Sequence, residues 1–409
     1  MGRKAKSIRE EDRQSGFYLL DKVIDKFENS ANDWREEADG NRSFKIQQSD
    51  YDAVGKSELL EEARKLEQMG LIRVAWFCGG SEMEKVTYRL RDMAEIYRAA
   101  GRESKRSRLE RARECAGRYE RQAVTPWLKA YYEDVFRDID RGTYPGDLEK
   151  YGELLFRCLD RLDKLGEPVF MRVFSSKYLN GSKVFERVLK SRVVSIGRKY
   201  HPMVDEAMGE HEILSQMYVE NYAQELELKG ELRIVLGGKV IDLSVFPYGT
   251  VLNSETLKHG IIDPVQRIRR VITVENKANY MSMPFEEGTL ILFCHGFFSP
   301  REREFLAGLE RVLERLRQAG AEIEYCHTGD LDYGGVRIFR YIRTKIFPLV
   351  RPLFMDAARY DKYLELGYGT DMEASAWEKM KGMEEPLLQP LMERILQEKK
   401  VVEQECFLF

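Results

Sequence analysis

The chain has 409 residues, of which 43% are hydrophobic and 33% are charged, and its formal net charge is −3. A chain of this length has more residues than usually pack around one hydrophobic core, so about two to four domains are expected. No stretch approaches the roughly 20 uninterrupted apolar residues of a membrane span, and the first residues lack the apolar core of a secretory signal, so the sequence predicts a soluble, cytoplasmic protein with no membrane partner.

Cysteine spacing and net charge further limit which kinds of protein this chain can be. No two of the six cysteines form a CxxC pair, so they are expected to be reduced thiols rather than zinc ligands or disulfides. Because the net charge is negative, any contact with DNA must come from local basic patches. The candidates are residues 101–122, with eight Lys or Arg against four Glu, and residues 183–199, with six against one. A solvated helix face explains either run equally well.

The first 100 residues are predicted to form an N-terminal winged-helix domain. Amphipathic spacing predicts helices over 10–29 and 57–69, and Gly70 ends the second of them. The runs 71–77 and 86–90 then follow as a β-hairpin. A helix followed by such a hairpin is typical of a winged helix, which binds DNA in some proteins and only joins proteins together in others.

The middle of the chain is predicted to hold two further parts. Residues 101–165 are strongly charged and predict an elongated helical arm. Residues 166–265 predict a small winged-helix-like module, with short strands between 231 and 252 around Gly237 and Gly238. The whole chain is therefore expected to be a multi-domain α+β protein.

Residues 266–409 predict an α/β domain with a parallel sheet. Continuous apolar runs at 270–274, 289–293 and 321–326 predict buried strands, and the leucine spacing of 300–318 predicts a helix between the last two. In such sheets ligands bind beyond the carboxyl ends of the strands.

Three carboxylates follow the strands of this predicted sheet. Glu275 follows the first strand, and Asp330 and Asp332 follow the third. Three hard oxygen ligands with a combined charge of −3 suit Mg²⁺ or Mn²⁺, and Mg²⁺ keeps several waters with which it can bridge to a phosphate. The alternative is that the two aspartates only cap the helix that begins near Gly335.

The arrangement resembles the Toprim signature of topoisomerases, primases and OLD-type nucleases, in which a glutamate ends one strand and Asp-x-Asp-x-x-Gly follows a later one. The local sequences VENKANY at 274–280 and HTGDLDYGGVRI at 327–338 resemble the JetD family, the nuclease subunits of Wadjet anti-plasmid systems, which is related to the A subunit of topoisomerase VI. The segment 171–186 resembles the stretch that precedes Toprim in that family, through Arg172, Ser175, Gly181, Ser182 and Lys183.

This resemblance implies a cytosolic homodimer that carries a catalytic-activator-like (CAP-like) module before its Toprim domain. It implies an SMC–kleisin type partner complex that presents DNA, in particular circular plasmid DNA, for cleavage. It also implies that Glu275, Asp330 and Asp332 are the catalytic metal ligands and that Gly335 is the motif glycine.

Two departures from the family pattern bear on the chemistry. Tyr333 stands where many relatives have proline, which is conservative for a turn. Relatives of topoisomerase VI carry a nucleophilic tyrosine in the stretch that matches Arg172–Ser176, which here reads Arg-Val-Phe-Ser-Ser. Without that tyrosine, water activated by a metal is left as the attacking group. Tyr178 lies only two residues further on, so a covalent mechanism stays open as an alternative.

Other residues are weaker candidates. DNA contacts are expected from five basic residues, although solvated surface positions are an equally good explanation: Arg172, Lys183, Lys277, Arg337 and Arg340. His295 and His327 follow or end strands and are candidates for phosphate or acid roles, against a structural role for each. The sequence contains no GxxxxGK[ST] motif, so no ATP is expected to bind through a P-loop.

The sequence therefore predicts a metal-dependent DNA endonuclease that acts as the cleaving subunit of a defence complex. One alternative is a topoisomerase VI A-like strand-breaking protein, and another is a non-catalytic DNA-binding scaffold. Since the chain has no P-loop and a negative net charge, control by an ATP-driven partner is expected. The apolar segment 401–409 is a candidate for the dimer surface.

Overall fold

The computed structural model describes residues 16–35, 39–221 and 224–407. The chain is mixed α and β and divides into two compact units, the first made of residues up to 122 together with 129–156, and the second of 123–128 and 157 onward. This confirms a multi-domain α+β protein, while the finer four-part division stays a prediction. Within the described residues, no helix is long and apolar enough to cross a membrane.

The first unit contains one small antiparallel sheet with strand order β1-β3-β2. Its core is a cluster of buried apolar side chains from the helices and strands around this sheet. The elements of this part of the chain, including two helices that continue into the second unit, are α1 Tyr18–Glu28, β1 Asn41–Lys45, α2 Gln48–Val54, α3 Lys56–Gln68, β2 Arg73–Phe77, β3 Glu82–Arg89, α4 Met93–Ala100, α5 Lys105–Glu120, α6 Pro126–Asp140, α7 Gly146–Tyr151 and α8 Glu153–Asp163.

The predicted helix over 57–69 and the hairpin after it are confirmed by α3, β2 and β3. The helix predicted over 10–29 is observed as α1, which begins at Tyr18, while residues 10–15 lie outside the described residues. Strand β1, which pairs with β3, was not predicted. That this part of the chain is a winged helix stays a prediction.

The basic run at 101–122 forms α5, and several of its cations are already paired. Arg108 pairs with Glu28 at 2.8 Å, and Arg118 pairs with Glu153 at 2.9 Å. Arg111 and Arg113 also have carboxylate partners. This pairing favours the solvated helix face over a DNA-binding surface for this run.

The second unit holds a six-stranded sheet with order β14-β13-β11-β12-β6-β9 and a smaller sheet with order β10-β7-β8. Its remaining elements are β4 Val169–Phe170, α9 Met171–Leu179, α10 Lys190–Tyr200, α11 Glu210–Gln216, β5 Val219–Glu220, β6 Glu225–Gly230, β7 Arg233–Leu236, β8 Lys239–Asp242, β9 Thr250–Asn253, α12 Ser254–His259, β10 Ile261–Ile262, β11 Arg270–Val274, α13 Lys277–Ser282, β12 Thr289–Phe293, α14 Pro300–Gln318, β13 Glu324–Thr328, α15 Tyr333–Lys345, β14 Arg351–Pro352, α16 Ala357–Glu365, β15 Thr370–Asp371, α17 Ala374–Lys381, α18 Gln389–Glu398 and β16 Lys400–Val401.

The predicted parallel sheet is confirmed, because β11 pairs in parallel with both β12 and β13. Strands β11 and β12 have the predicted bounds, but the third strand runs over 324–328 and not over 321–326. Its pairing with β11, which sets Glu324 opposite Arg270, determines this range. Strands β6 and β9 extend the sheet in antiparallel fashion, although the sequence placed this region in the preceding module.

The strand order creates a crevice at one edge of the sheet. Strand β11 lies between β12 and β13, so the chain passes from β11 to one neighbour and later returns on its other side. Helix α14, which has the predicted bounds, makes the crossover and begins with a capping box between Ser299 and Glu302. The carboxyl ends of β11 and β13 are therefore neighbours at a topological switch point, where ligands bind in open α/β sheets.

Candidate metal centre

Glu275 is the first residue after β11, and the turn after β13 holds it in place. Its backbone N–H donates to the carbonyl of Thr328 at 3.0 Å. Its carboxylate oxygen Oε2 accepts a hydrogen bond from the backbone N–H of Asp330 at 3.2 Å. The glutamate at the end of one strand is thus bonded directly to the Asp-x-Asp turn after the neighbouring strand.

The two aspartates are fixed in a similar way. Asp330 Oδ1 accepts from the backbone N–H of Gln404 at 2.7 Å, and Asp332 Oδ1 accepts from the backbone N–H of Gly335 at 2.7 Å. Each of the three predicted ligands therefore has one oxygen anchored by a backbone N–H. Glu275 and the Asp330 backbone are in direct contact, and the charge of Asp332 also acts on Glu275. That the three carboxylates hold a metal stays a prediction.

Asp332 is the N-cap residue of α15, so the capping interpretation is correct for this residue. The cap uses Oδ1, and a carboxylate has a second oxygen that can bind a ligand. Capping and metal binding are therefore compatible roles for Asp332, and an experiment has to separate them.

Repulsion among the carboxylates is visible in their pKa values. Burial raises the pKa of Glu275, and the nearby charges of Asp330 and Asp332 raise it further. Burial also raises the pKa of Asp330 and of Asp332, while backbone N–H donors partly lower both. A divalent cation would relieve this repulsion, because it favours the ionised form of each group.

The raised pKa of Glu275 determines how the stability of the fold changes with pH. The ionised carboxylate is disfavoured in the folded chain, so the stability linked to this group is present below its ordinary pKa of 4.5 and is lost as the pH rises toward the raised value. Without metal, Glu275 should therefore destabilise the fold at pH 8 relative to pH 5.

Carboxylate oxygens are the ligand type that Mg²⁺ and Mn²⁺ prefer, but the three carboxylates do not form a closed set around one point. Among the described residues, no three His, Cys, Asp or Glu side chains stand in position to hold one ion by themselves. Mg²⁺ keeps several of its waters, so an open set of carboxylates is enough for it. The buried Nε2 of His327 has no hydrogen-bond partner in this part of the chain, and it lies beside Gly329, as does Glu275 Oε2. A water bound at the site could satisfy this nitrogen.

His327 is fully buried, and its Nδ1 lies 2.9 Å from the hydroxyl of Thr273. Burial lowers the pKa of His327 to about 3, so the imidazole is neutral at physiological pH. A neutral, fully buried imidazole is poorly suited to protonate a leaving group, so the structural interpretation of His327 is favoured.

His295 lies just beyond the carboxyl end of β12, at the same edge of the sheet. Its Nε2 is 3.1 Å from Glu302, and its side chain is 38% exposed. Burial alone would lower the pKa of His295, but the hydrogen bond and the charge of Glu302 outweigh it and raise the pKa. The residue also has a φ of +36°, a strained conformation that is common at functional sites. The hydrogen bond to Glu302 fits a structural role, and the raised pKa and the positive φ fit a phosphate contact, so both interpretations of His295 stay open.

Two of the five expected DNA contacts are occupied by other side chains. Arg337 donates to Asp205 through two nitrogens, at 2.6 and 2.5 Å, and to Glu206 at 2.9 Å. Lys277 pairs with Glu227 and lies over the ring of Phe293 at 4.8 Å.

The other three, Arg172, Lys183 and Arg340, are exposed and have no ion pair within the described residues. The buried hydroxyl of Ser175 accepts from the backbone N–H of Phe185 at 3.0 Å and donates to the carbonyl of Gly181, which fixes the loop that carries Lys183. The exposed cations of this loop are therefore presented by a well-bonded turn.

Sequence reasoning missed Gln404, whose backbone N–H binds Asp330. No motif marks this residue, because the contact is made by a main-chain group that any residue except proline possesses. It could be found only from the fold.

Residues 247–408 match the family described as the C-terminal part of the Wadjet protein JetD. The chain is also 27% identical, over 411 aligned positions, to the Wadjet protein JetD of Bacillus cereus (strain Q1), and the match covers 95% of this chain and 98% of that protein. The family match contains the three carboxylates and Gly335. These similarities confirm the resemblance that the motifs indicated.

Gly335 gives a direct test of the site's geometry. A Cβ on Gly335 would overlap the backbone carbonyl of Asp330, whereas a Cβ on Gly334 would meet only the Asp332 side chain, at 3.3 Å. We expect Gly335→Ala to destabilise the fold by about 1–3 kcal/mol and to weaken Mn²⁺ binding, because the Asp330 backbone must move. Gly308→Ala on α14, where a Cβ makes only ordinary contacts, is the control, and thermal unfolding and Mn²⁺ titration are the measurements. Wild-type Mn²⁺ affinity in folded Gly335→Ala would contradict a site built on this turn.

Proposed function

We propose that the chain is a JetD-type protein, that is, a metal-dependent DNA endonuclease and the cleaving subunit of an anti-plasmid defence complex. Its similarity to the Wadjet protein JetD supports this proposal. The observation that carries the proposal is the anchoring of Glu275, Asp330 and Asp332 at the neighbouring carboxyl ends of β11 and β13. These are the residues that would hold Mg²⁺ or Mn²⁺ in a Toprim-type site.

A divalent cation at this place would stabilise negative charge on a phosphodiester and lower the pKa of a bound water. The residues of the chain would supply the rest. The three carboxylates would orient the cation. His295 follows β12 at the same end of the sheet, and its hydrogen bond and ion pair with Glu302 raise its pKa, so it is a candidate for a phosphate contact. The products are expected to be a 5′-phosphate and a 3′-hydroxyl or the reverse, depending on which oxygen leaves.

The details around residues 172–178 support hydrolysis by water. The stretch 172–176 contains Phe174, which is fully buried, and has no tyrosine. Tyr178 is half-buried, and its ring lies 5.2 Å from that of Phe174. A covalent phosphotyrosine step by Tyr178 is the topoisomerase VI A-like alternative, and a stable protein–DNA adduct would favour it.

DNA contacts are proposed for the exposed cations Arg172, Lys183 and Arg340. Arg337 could contribute only after leaving Asp205 and Glu206, which at present neutralise it. Lys277, which lies two residues after Glu275, could likewise reach a phosphate only after leaving Glu227.

Isosteric variants test the three carboxylates. We expect Glu275→Gln, Asp330→Asn and Asp332→Asn each to lower Mg²⁺- or Mn²⁺-dependent cleavage of supercoiled plasmid by at least about 100-fold, because each removes a charged ligand. Asparagine is as good an N-cap as aspartate, so Asp332→Asn keeps the cap of α15 and removes only the charge. For Glu275→Gln without metal at pH 8, we expect unchanged or higher stability, by about 1–2 kcal/mol, because the repulsion is removed.

Asp356→Asn is the matched control, since Asp356 caps α16 in the same way, with its side chain accepting from Arg359 at 2.9 Å. Wild-type cleavage by Asp332→Asn would show that Asp332 is only a cap. If the wild-type chain neither binds Mn²⁺ nor cuts DNA with its partners present, the scaffold alternative is correct.

We expect the isolated chain to cut DNA poorly and to need an ATP-driven partner complex of the SMC–kleisin type. The chain has no P-loop, its net charge is −3, and its basic run at 101–122 is largely paired, so its own affinity for DNA is low. Plasmid cleavage by the lone chain and by the reconstituted complex, each with and without ATP, is the measurement. Vigorous cutting by the lone chain that ATP and partners leave unchanged would refute this expectation.

We also propose a homodimer, because two sites related by a two-fold axis can cut both strands of a duplex. The segment 401–409 stays a candidate dimer surface only in part. Phe407 is buried within its own chain and stacks 5.2 Å from the ring of Tyr363, and residues 408 and 409 lie outside the described residues. Light scattering at micromolar concentration should give the dimer mass, and a monomer mass throughout would contradict this proposal.

A further inference from the structure

We infer that the segment 402–407 is an integral part of the metal centre and that Gln404 is its positioning residue. The inference rests on the proposed function, because it concerns the same site. It adds a part of the chain that none of the recognised motifs contains.

Gln404 is fully buried and makes three hydrogen bonds to three parts of the site. Its backbone N–H donates to Asp330 Oδ1 at 2.7 Å. Its side-chain oxygen accepts from the backbone N–H of Asn276, the neighbour of Glu275, at 3.0 Å. Its side-chain nitrogen donates to the hydroxyl of Thr328, at the end of β13, at 3.0 Å. One residue therefore connects both strand ends that carry ligands.

The segment is itself bonded to the Asp-x-Asp turn. Val402 and Leu331 exchange backbone hydrogen bonds at 2.8 and 3.3 Å, and Leu331 is the residue between the two aspartates. The buried side chain of Asn279 donates to the carbonyls of Gln404 and Phe407, at 3.0 and 3.2 Å. The position of Asp330 and Asp332 is thus coupled to the position of 402–407.

An amide is suited to this role. Gln404 accepts at one end and donates at the other without carrying a charge, so it joins the two strand ends and adds nothing to the repulsion among the carboxylates. Methionine has a similar length and volume but cannot form either bond. Partners that orient the ligands of a metal are worth about 10- to 100-fold in metal affinity.

The exposed residues on either side of Gln404 bring further negative charge. Glu403 and Glu405 are exposed and directly flank Gln404, whose backbone N–H binds Asp330, so their negative charges lie close to the carboxylates. The segment therefore strengthens the attraction of the site for cations. The buried Nε2 of His327 lies beside Glu275 and has no hydrogen-bond partner among the described residues, so a bound water, free or held by a cation, would have a partner here.

The test is Mn²⁺ binding to the full chain in the absence of DNA. Electron paramagnetic resonance of the free Mn²⁺ measures how much of the ion is bound. We expect Gln404→Met to weaken Mn²⁺ binding by at least about tenfold. The matched control is Gln216→Met, since Gln216 is another buried glutamine, with bonds to Phe298 and Arg303 and none to the carboxylate-bearing turns. It should lose stability but keep its Mn²⁺ affinity.

A second pair of variants covers the case in which Gln404→Met does not fold. Glu403→Gln with Glu405→Gln changes only exposed residues, so the fold should persist, and Mn²⁺ binding at low ionic strength should weaken about two- to fivefold. The control removes the same charge elsewhere, by Glu393→Gln with Glu398→Gln on α18.

The outcomes distinguish failure of the proposed metal site from failure of the role of Gln404 alone. If the wild-type chain binds no Mn²⁺, the proposed function fails and this inference fails with it. If the wild type binds Mn²⁺ and folded Gln404→Met binds it equally well, only the role of Gln404 is refuted. If Gln404→Met does not fold, equal binding by the Glu403/Glu405 variant and its α18 control refutes the inference.

Discussion

Mutual repulsion among Glu275, Asp330 and Asp332 is partly offset by backbone N–H groups that each anchor one carboxylate oxygen. The donors belong to the turn after β13, the first turn of α15 and the segment 402–407. Because separate parts of the chain supply them, the site exists only when these parts are all in place. The strand order, which sets β13 beside β11, makes this possible. The architecture of the second unit is in this sense organised around keeping like charges together.

Much of this sheet could be predicted from local sequence. The apolar, β-branched run at 270–274 and the leucine spacing of 300–318 are strong signals, and both elements have the predicted bounds. The predicted bounds of the third strand were wrong because its range depends on pairing with β11, which is a non-local interaction. Strand β6 was missed for the same reason, since it joins the sheet through β12, about 60 positions later in the chain.

The parts of the candidate site that depend on the type of a side chain could be predicted from the sequence. The parts that depend on contacts with residues distant in sequence could not. Carboxylates after predicted parallel strands point to candidate ligands before any fold is known. Arg337 shows the opposite case, because Asp205 and Glu206, which occupy it, lie far away along the chain. Likewise, the two interpretations of Asp332 were stated as alternatives, yet the structure makes them compatible, because a carboxylate can cap a helix with one oxygen and bind a cation with the other.

The steric role of Gly335 has an evolutionary consequence. The restriction comes from the backbone carbonyl of Asp330 and is independent of whether the carboxylates hold a metal. In a lineage that kept the fold but not the proposed metal site, selection on the three acidic residues would relax, whereas selection on Gly335 would persist. Descendants with this glycine but with the acids replaced would have inherited the fold alone, and descendants that retain both would have inherited the proposed site as well. One steric contact thus distinguishes inheritance of the fold from inheritance of the proposed site.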